Sequence, residues 1–335
     1  MLLDRFVNIL EALVDLPGQS IESLTVATSQ DYTTPDAMTE TTLSQFGLAH
    51  AYFESSAASS PLKIAIQAAD GRSITYAELN AQANRFASWL VTQGIIHGEM
   101  IPLFMEKSCE TLISILGILK AGAAFTPLDP QNPHDRNLFI VQDVKAVRII
   151  SDQKHRLVAA SFDLEVIILE DLDLQSYPEH NKSIVDLTPD SVVYAIYTSG
   201  STGLPKGVLV QHSALSASTE GMIEATSVTS EWRALWVLNY IFDASYYDVF
   251  TIFAAGATLC LAPQDDLLSN LSKFINDMMI EQVMLTPTIT KLIAGGPAEV
   301  PKLKVLNVCG EKIDSNILRW ARSIDVYNGY IVTPQ

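Results

Sequence analysis

The sequence predicts an α/β protein built on parallel, doubly wound sheets. Predicted strands and helices alternate along the chain, as in the strand over 100–105 that is followed by a helix over 109–121. Parallel strands are typically joined by helical crossovers of this kind. Apolar residues make up 48% of the 335 residues and charged residues 18%. A sizeable core is therefore available, and global disorder is excluded.

The first segment predicts an amphipathic helix followed by a linker. Apolar residues recur at helical spacing from Leu2 to Val14, and Pro17-Gly18 ends the helix. Residues 26–42 are rich in Ser, Thr, Asp and Gln, which indicates a linker. We therefore expect a separate segment over 1–25, a linker over 26–42 and the main domain over 43–335.

The main domain begins with clear local signals. A helix is expected over 48–56, followed by a hairpin that turns at Asp70-Gly71. Thr75 and Glu78 form a capping box that opens the next helix, and Gly94 ends it.

The stretch from Tyr197 to Gly207, YTSGSTGLPKG, predicts a phosphate-binding loop. It lies between an apolar strand over 192–197 and a short strand over 208–210. Glycines let the backbone approach phosphate oxygens, hydroxyls and amides donate to them, and Lys206 adds a positive charge. The spacing is not that of a Walker A loop, which needs Gly-Lys-Ser/Thr where Pro205-Lys206-Gly207 stands. A polar surface loop with a solvated lysine is the alternative.

A second candidate site follows a strand predicted over 235–238. The stretch from Asn239 to Phe250, NYIFDASYYDVF, contains Asp243. Its carboxylate suits an α-ammonium group, through a charge-assisted hydrogen bond worth about 1.5–3 kcal/mol. The alternative is that Asp243 caps a helix beginning near Ser245. Ser213, beyond the phosphate loop, is expected to cap the helix that follows it.

Five motifs in order resemble those of the adenylate-forming enzymes, the family of acyl-CoA synthetases, luciferases and the adenylation domains of nonribosomal peptide synthetases. The Asp243 stretch resembles the amino-acid-activating branch. The segments VMLTPT over 283–288 and VLNVCGEKI over 305–313 match further strand ends. The five motifs are ITYAEL (74–79), LKAGAAFTPLD (119–129), YTSGSTGLPKG (197–207), NYIFDASYYDVF (239–250) and the final stretch YNGYIVTPQ (327–335), where the family pattern is Asn-x-Tyr-Gly-Pro-Thr-Glu.

The resemblance implies roles for individual residues. ATP and its phosphates are expected to contact Thr198, Ser199, Gly200, Ser201, Thr202, Gly203, Lys206 and Thr333. Adenine is expected to contact Gly310, Glu311, Asn328 and Tyr330, with the tyrosine ring stacked on the base. The amino acid is expected to contact Asp243, Ala244, Tyr247, Met284, Asn307, Cys309 and Gly329.

These substrate positions predict a deep side-chain cavity. Ala244, Cys309 and Gly329 are small, while Tyr247 and Met284 are apolar or polarisable walls. Apart from the carboxylate that pairs with the ammonium group, no charged residue is among them, so a charged side chain would be buried without a partner. We expect a bulky, uncharged amino acid with at most one polar group, bonded by the asparagine of the set.

The resemblance also implies the reaction. ATP and an amino acid form an aminoacyl-AMP and pyrophosphate, and the acyl group then passes to the phosphopantetheine of a carrier protein. Carrier-protein and condensation domains are the implied partners, and the helix within 1–25 resembles the last helix of a condensation domain; a docking helix is the alternative. Mg²⁺ is implied with ATP, but Pro334 stands where the family's metal-binding glutamate belongs. Proline has no side-chain oxygen, so no metal ligand is assigned.

The resemblance implies two stacked α/β lobes, one over 76–212 and the other formed by 48–75 together with 213–335. The family's small C-terminal domain, which carries its catalytic lysine, is expected to lie beyond Gln335. No catalytic residue is therefore assigned, and we expect a truncated adenylation domain with weak or no turnover alone. An acyl- or aryl-acid ligase of the same family and a non-catalytic fragment or binding relic are the alternatives.

Bulk properties exclude several other classes of function. The net charge of −17 argues against nucleic acid and anionic membrane surfaces, whose phosphates it would repel. The apolar runs are too short to cross a bilayer. Cys109, Cys260 and Cys309 are widely spaced among apolar neighbours, which predicts buried, reduced thiols in the cytoplasm.

Overall fold

The computed structural model describes residues 47–182, 184, 186–199 and 205–329, without the side chain of Ser199. The segment predicted over 1–25 and the linker predicted over 26–42 lie outside these residues. The described strands are β1 (Ile64–Ala68), β2 (Ser73–Thr75), β3 (Met100–Phe104), β4 (Ala124–Leu128), β5 (Arg148–Ser151), β6 (Glu165–Ile168), β7 (Val192–Ser199), β8 (Pro205–Gln211), β9 (Arg233–Leu235), β10 (Thr258–Leu261), β11 (Gln282–Leu285), β12 (Val305–Cys309) and β13 (Asp325–Gly329).

Helices connect most of these strands. The described α-helices are α1 (Ala49–Ser59), α2 (Tyr76–Thr92), α3 (Cys109–Lys120), α4 (His134–Asp143), α5 (Arg156–Ala159), α6 (His212–Thr226), α7 (Ala244–Ala254), α8 (Gln264–Leu267), α9 (Leu271–Asp277), α10 (Pro287–Thr290) and α11 (Ser315–Trp320).

The strands form two sheets. One has the order β13-β12-β11-β9-β10-β1-β2 and the other β6-β5-β3-β4-β7-β8. Neighbouring strands are parallel except at one edge of each sheet, where β2 lies antiparallel to β1 and β8 to β7. The first two strands join the sheet of the C-terminal part, so the two-lobe prediction is confirmed, including its assignment of 48–75 to the second lobe.

Each sheet reverses its strand order at one point. In the larger sheet β10 lies on one side of β9 and β11 on the other, and in the smaller sheet β4 and β5 flank β3 in the same way. Ligands of parallel α/β sheets bind beyond the carboxyl ends of the strands at such points. The residues that follow β9 and β3 are therefore of most interest for function.

Local sequence signals explain the start and end of several elements. Thr75 and Glu78 form the predicted capping box of α2, with the Thr75 hydroxyl accepting from the Glu78 amide at 3.2 Å. Gly94 follows α2 with a φ of +77°, a conformation that glycine adopts without strain. The Tyr76 hydroxyl, at the start of α2, donates to the carbonyl of Ala257 at 2.7 Å and anchors this helix to the larger sheet. Cys109, Cys260 and Cys309 are buried free thiols, as predicted.

Two local predictions are wrong. Ser213 does not cap the following helix, because α6 begins at His212 and Gln211 occupies the cap position. The strand expected over 235–238 ends at Leu235. The carbonyls of the next three residues accept hydrogen bonds from the side chain of Lys107, so this segment leaves the sheet.

Candidate functional site

The predicted phosphate loop joins two antiparallel strands at the edge of the smaller sheet. Thr198 on β7 pairs with Lys206 on β8, and Ser199 pairs with Pro205. The Lys206 side chain is exposed on this hairpin. The loop itself, with Gly200, Ser201, Thr202 and Gly203, lies outside the described residues, so its role in phosphate binding stays a prediction.

A close contact explains one glycine of this hairpin. A Cβ atom added to Gly207 would lie 2.9 Å from Cζ of Tyr197, which sits opposite it across the two strands. The Tyr197 hydroxyl in turn donates to Asp143 at 2.5 Å. Glycine here therefore leaves room for the tyrosine ring of the opposite strand.

Asp243 lies directly before α7, in the segment that follows β9. Its Oδ1 accepts a hydrogen bond from the Ala244 amide at 2.8 Å, so the residue caps the helix. Partial burial raises the pKa of the Asp243 carboxyl above its ordinary value. A carboxylate has lone pairs on two oxygens, so the cap still leaves Oδ2 available for a cation. The alternative that Asp243 caps a helix is therefore confirmed, and this cap does not prevent the carboxylate from binding an ammonium group.

The segment over 236–243 both donates hydrogen bonds to residues of the smaller-sheet lobe and accepts hydrogen bonds from them. The Tyr240 hydroxyl, from this segment, donates to the carbonyl of Met105 at 2.7 Å and also lies 3.1 Å from the carbonyl of Leu128. In the other direction, Nζ of Lys107 donates to the carbonyls that follow β9 at 2.7–3.2 Å. The segment that leads to Asp243 is therefore tied to residues at the carboxyl ends of β3 and β4 of the smaller sheet.

A cavity of about 400 Å³ opens beyond the carboxyl ends of β11, β12 and β13. Strand register places Met284 beside Asn307 and Cys309 beside Gly329 on this edge. The cavity is lined by Ser218, Gly221, Met222, Ala225, Thr226, Tyr247, Met284, Asn307, Val308, Cys309, Tyr327, Asn328 and Gly329. Five of the seven predicted amino-acid-binding residues thus line one cavity.

The other two predicted substrate residues are adjacent to this cavity. Ala244 packs in one apolar cluster with Met284 and Cys309. Burial raises the pKa of Tyr247 in this cluster, and the charge of Asp243 adds to the shift. For Cys309 burial is the largest cause, followed by the charges of Asp248 and Asp243, and its pKa is raised to about 12.

Asn307 is the most informative residue of the cavity. It is only 3% exposed, and among the described residues neither atom of its side-chain amide has a hydrogen-bond partner. A buried polar group without a partner costs free energy. An amide that lines a cavity in this state is suited to pair with a ligand.

The predicted adenine-binding residues divide between described and undescribed parts of the chain. Gly310 has a φ of +78°, and the carboxylate of Glu311 accepts from the Thr288 amide at 2.9 Å and from its hydroxyl at 2.6 Å. The Thr288 hydroxyl hydrogen bond lowers the pKa of Glu311. Asn328 lines the cavity described above. Tyr330, Thr333 and Pro334 lie outside the described residues.

Sequence reasoning missed two parts of this site. One is the face of α6 with Ser218, Gly221, Met222 and Ala225, whose spacing of three and four residues places them on one side of a helix. The other is Lys107 and Asp248, two charged groups in the interior, where burial lowers the pKa of Lys107 to about 7 and raises that of Asp248 to about 7. The α6 spacing was visible in the sequence, but nothing there showed what the face would cover.

No group of three or more potential metal-ligating side chains occurs within the described ranges. Nor does any helix in these ranges combine the length and apolar character required to cross a membrane.

The sequence profile of the family described as AMP-binding enzyme matches residues 53–333. Nonribosomal peptide synthetase 7 of Aspergillus fumigatus is 39% identical over 284 residues, which cover 84% of this chain and 12% of the relative. Nonribosomal peptide synthetase sidE of the same fungus is 39% identical over 282 residues, covering 83% of this chain and 13% of the relative. The chain therefore spans about an eighth of the length of these relatives.

Solved structures share the fold. The nonribosomal peptide synthetase FmoA3 with AMPPNP bound superposes with a TM-score of 0.81 at 24% identity, over 98% of this chain and 37% of that one. VinN in complex with L-aspartate gives a TM-score of 0.76 at 23% identity, over 85% of this chain and 76% of that one.

Proposed function

Because this chain belongs to the AMP-binding enzyme family, we propose that it is the nucleotide- and amino-acid-binding part of a nonribosomal peptide synthetase adenylation domain. The observation that carries the proposal is the carboxylate of Asp243 at the start of α7, four residues before Tyr247, which lines a cavity of about 400 Å³. The two A. fumigatus synthetases, each 39% identical, support the assignment to this class.

The proposed amino-acid site divides the substrate between a polar and an apolar region. The α-ammonium group pairs with Asp243, whose raised pKa reflects the cost of holding its charge where it is partly buried. A bound ammonium group offsets that cost and lowers the pKa of the carboxyl again. The side chain enters the cavity between Tyr247, Met284 and Cys309.

The proposed reaction is the formation of an aminoacyl-adenylate. The substrate carboxylate attacks the α-phosphorus of ATP, the bond to the pyrophosphate oxygen breaks, and pyrophosphate leaves. Lys206 and the loop after β7 are assigned to the phosphates. The adenine is assigned to Gly310, Glu311, Asn328 and Tyr330. The β7–β8 hairpin and the Asp243 segment both lie at the carboxyl edge of the smaller sheet, because Tyr240 bonds the ends of β3 and β4. Holding the two reactants at one edge supplies the proximity that such a displacement requires.

The proposal extends to the partners of a synthetase. The acyl group is passed to the phosphopantetheine of a carrier domain, with a condensation domain as the next partner. Mg²⁺ accompanies ATP as part of this substrate. The three buried free thiols are consistent with a reducing, cytoplasmic compartment.

Amino-acid binding by the purified chain tests the proposal. Calorimetric titration with the twenty L-amino acids is expected to give binding for a subset with large neutral side chains. The corresponding acids without the amino group are expected to bind about 10–150-fold more weakly, the factor that follows from a charge-assisted bond of about 1.5–3 kcal/mol.

Two variants make this experiment specific. Asp243→Asn keeps the shape of the side chain and is expected to remove the preference for the amino group. Asp265→Asn changes a carboxylate in α8, which does not line the cavity, and is expected to leave the preference unchanged. Equal binding of acids with and without the amino group in the wild type would favour an acyl- or aryl-acid ligase instead.

A further inference from the structure

We propose that Asp248, a residue of α7 that does not itself line the cavity, is a positioning residue: acting through Gln282, it turns the NH2 group of the Asn307 amide inward, so that the carbonyl oxygen of this amide faces the ligand. The inference rests on the proposed function and deepens it, because it states which kind of hydrogen-bonding group the cavity accepts. The residues assigned to the α-ammonium group and to the nucleotide stay the same.

Three polar side chains of α7, β11 and β12 are buried without partners. Asp248 is 1% exposed, Gln282 is 0% exposed and Asn307 is 3% exposed. Among the described residues, neither carboxylate oxygen of the aspartate and neither end of the two amides has a hydrogen-bond partner. Buried polar groups of native proteins are nearly always paired. These three side chains are therefore expected to be satisfied by one another, by buried water and by a ligand.

Strand register makes the two amides neighbours. The parallel pairing of β11 with β12 places Gln282 beside Val305, and two positions further on Met284 lies beside Asn307. Alternate residues of a strand share one face, so both amides lie on the same face of the larger sheet. Diagonal neighbours on adjoining strands are about 7–8 Å apart, a separation that long polar side chains and one buried water can bridge.

The carboxyl group of Asp248 faces these amides from α7. Burial raises its pKa to about 7, and the charge of Lys107 and the nearby amide of Gln282 act in the opposite direction. After burial, the charge of Asp248 is the next cause that raises the pKa of Cys309, which lies on the same face of β12 as Asn307. The ammonium group of Lys107 already donates to three carbonyls and has no further N–H group for the carboxylate. The amides are therefore the donors that suit this carboxylate.

The carboxylate sets the direction in which the amides point. The two ends of a side-chain amide have nearly the same shape, so their hydrogen bonds decide which end faces which neighbour. An ionised carboxylate accepts hydrogen bonds and donates none. The NH2 group of Gln282 therefore turns toward Asp248, and its carbonyl oxygen accepts from the NH2 group of Asn307. The carbonyl oxygen of Asn307 is left for the cavity, where it pairs with a donor and opposes an acceptor.

Three bicyclic probes of similar shape test this direction. Indole carries an N–H donor, benzofuran has an oxygen acceptor at the same ring position, and indene has neither. The full chain is titrated with each probe by NMR at about pH 8.5, where the Asp248 carboxyl is ionised. Indole is expected to bind about 10-fold more tightly than benzofuran, and more tightly than indene. In Asn307→Leu these differences are expected to disappear.

Substitutions of Asp248 and Gln282 separate positioning from support of the fold. Asp248→Asn can offer either end of its own amide, so the preference for indole over benzofuran is expected to fall below about twofold. Asp248→Glu keeps an acceptor and is expected to retain the preference. Gln282→Met keeps much of the volume, interrupts the path and is expected to remove the preference. Asp265→Asn in α8 is the control and is expected to leave the preference unchanged.

The ratio of the two affinities is the decisive quantity, because a residue that only supports the fold would weaken all three probes by the same factor. Equal affinities of indole and benzofuran in the wild type, tighter binding of benzofuran, or no binding of any probe overturns the proposal. A preference that persists in Gln282→Met also overturns it, and this variant decides the question if Asp248→Asn does not fold.

The outcomes also separate this inference from the proposed function. If the preference for indole depends on Asp248 while no L-amino acid binds, the positioning role holds and the proposed function fails. If L-amino acids bind in a way that depends on Asp243 while the probes show no preference, this inference fails alone.

Discussion

Replacing Lys107 by methionine is expected to destabilise the protein and to do so more strongly at higher pH. The Lys107 ammonium group donates to the carbonyls of Trp236, Val237 and Leu238 at 3.0, 2.7 and 3.2 Å. It also lies 5.5 Å from the centre of the Trp236 ring, and its charge lowers the pKa of the buried Asp248. Methionine keeps much of the volume and removes both the donor and the charge.

The structure gives the size of the effect. Removing one partner of a contacting buried charge pair typically costs about 3–5 kcal/mol, and the cost is smaller here because neither carboxylate oxygen of Asp248 bonds Lys107 directly. Asp248 limits this cost because burial already raises its pKa to about 7, so protonation of the carboxyl relieves part of the penalty near neutral pH. Three carbonyls lose their donor as well, at about 1 kcal/mol for each net hydrogen bond. We expect a loss of about 3 kcal/mol in the free energy of unfolding at pH 7.

The sign of the pH dependence follows from Asp248. Its pKa in the folded state lies above the ordinary value of 3.8, so the folded state binds more protons and stability falls as pH rises between the two values. Without the Lys107 charge the folded pKa rises further, and this window extends to higher pH. The deficit of Lys107→Met is therefore expected to be larger at about pH 8.5 than at about pH 6.

Urea unfolding of Lys107→Met, Asp248→Asn and the double variant measures the coupling. The double variant is expected to be more stable than the sum of the single losses by about 1 kcal/mol or more, because asparagine leaves no buried charge. Lys273→Met, which removes an exposed lysine paired with Asp277, is expected to cost less than about 1 kcal/mol. Strictly additive losses, or a deficit independent of pH, would refute the reasoning.

Three further effects are expected from the packing of the helices. His50 and His212 are buried rings whose pKa values burial holds below 6.5, that of His212 at about 4, so their contribution to stability should fall as pH drops below about 6.5. Because the raised pKa of Asp248 acts in the opposite sense, melting curves of Asp248→Asn at about pH 7.5 and pH 5 check this, and a melting temperature of that variant that rises on acidification contradicts it. Gly117→Ala should destabilise by about 1–3 kcal/mol, because the added Cβ would lie 2.5 Å from Cδ1 of Phe86. Gly221→Ala in α6 is the control, because a Cβ added there meets no described atom within 4 Å, and equal melting temperatures of the two variants would contradict the packing argument. Thr75→Ala should lower the free energy of unfolding in urea by about 1 kcal/mol, because it removes the cap of α2. An unchanged free energy of unfolding would show that this cap does not stabilise the protein.

Local signals allowed much of the fold to be predicted from sequence. The capping box at Thr75 and the turn at Asp70-Gly71 involve residues close together in the chain, so their effect is visible without knowledge of tertiary contacts. The strand expected over 235–238 was wrong for the opposite reason. Its carbonyls bond Lys107, which lies about 130 residues earlier in the chain, and no local pattern reveals such a partner.

The candidate site was predictable to the extent that it follows strand ends. Met284, Asn307, Cys309 and Gly329 lie at or near the carboxyl ends of β11, β12 and β13, where parallel sheets place ligands. The face of α6 that lines the cavity could not be predicted in this way. Which face of a helix covers a cavity depends on how α6 packs against α7 and the sheet, and its mixed small and polar residues give no strong apolar stripe.

The most direct test of the account is the affinity of the chain for a joined analogue of both substrates. In this analogue a sulfamoyl group replaces the phosphate of the adenylate of L-tryptophan, and a second compound carries the same indole side chain without the α-amino group. Calorimetry is expected to show that the first binds more tightly than L-tryptophan or ATP alone, and about 10–150-fold more tightly than the second. That preference is expected to be lost in Asp243→Asn. Equal affinity for the two analogues in the wild type, or no gain over the separate substrates, would contradict the claim that one site holds both the amino acid and the nucleotide.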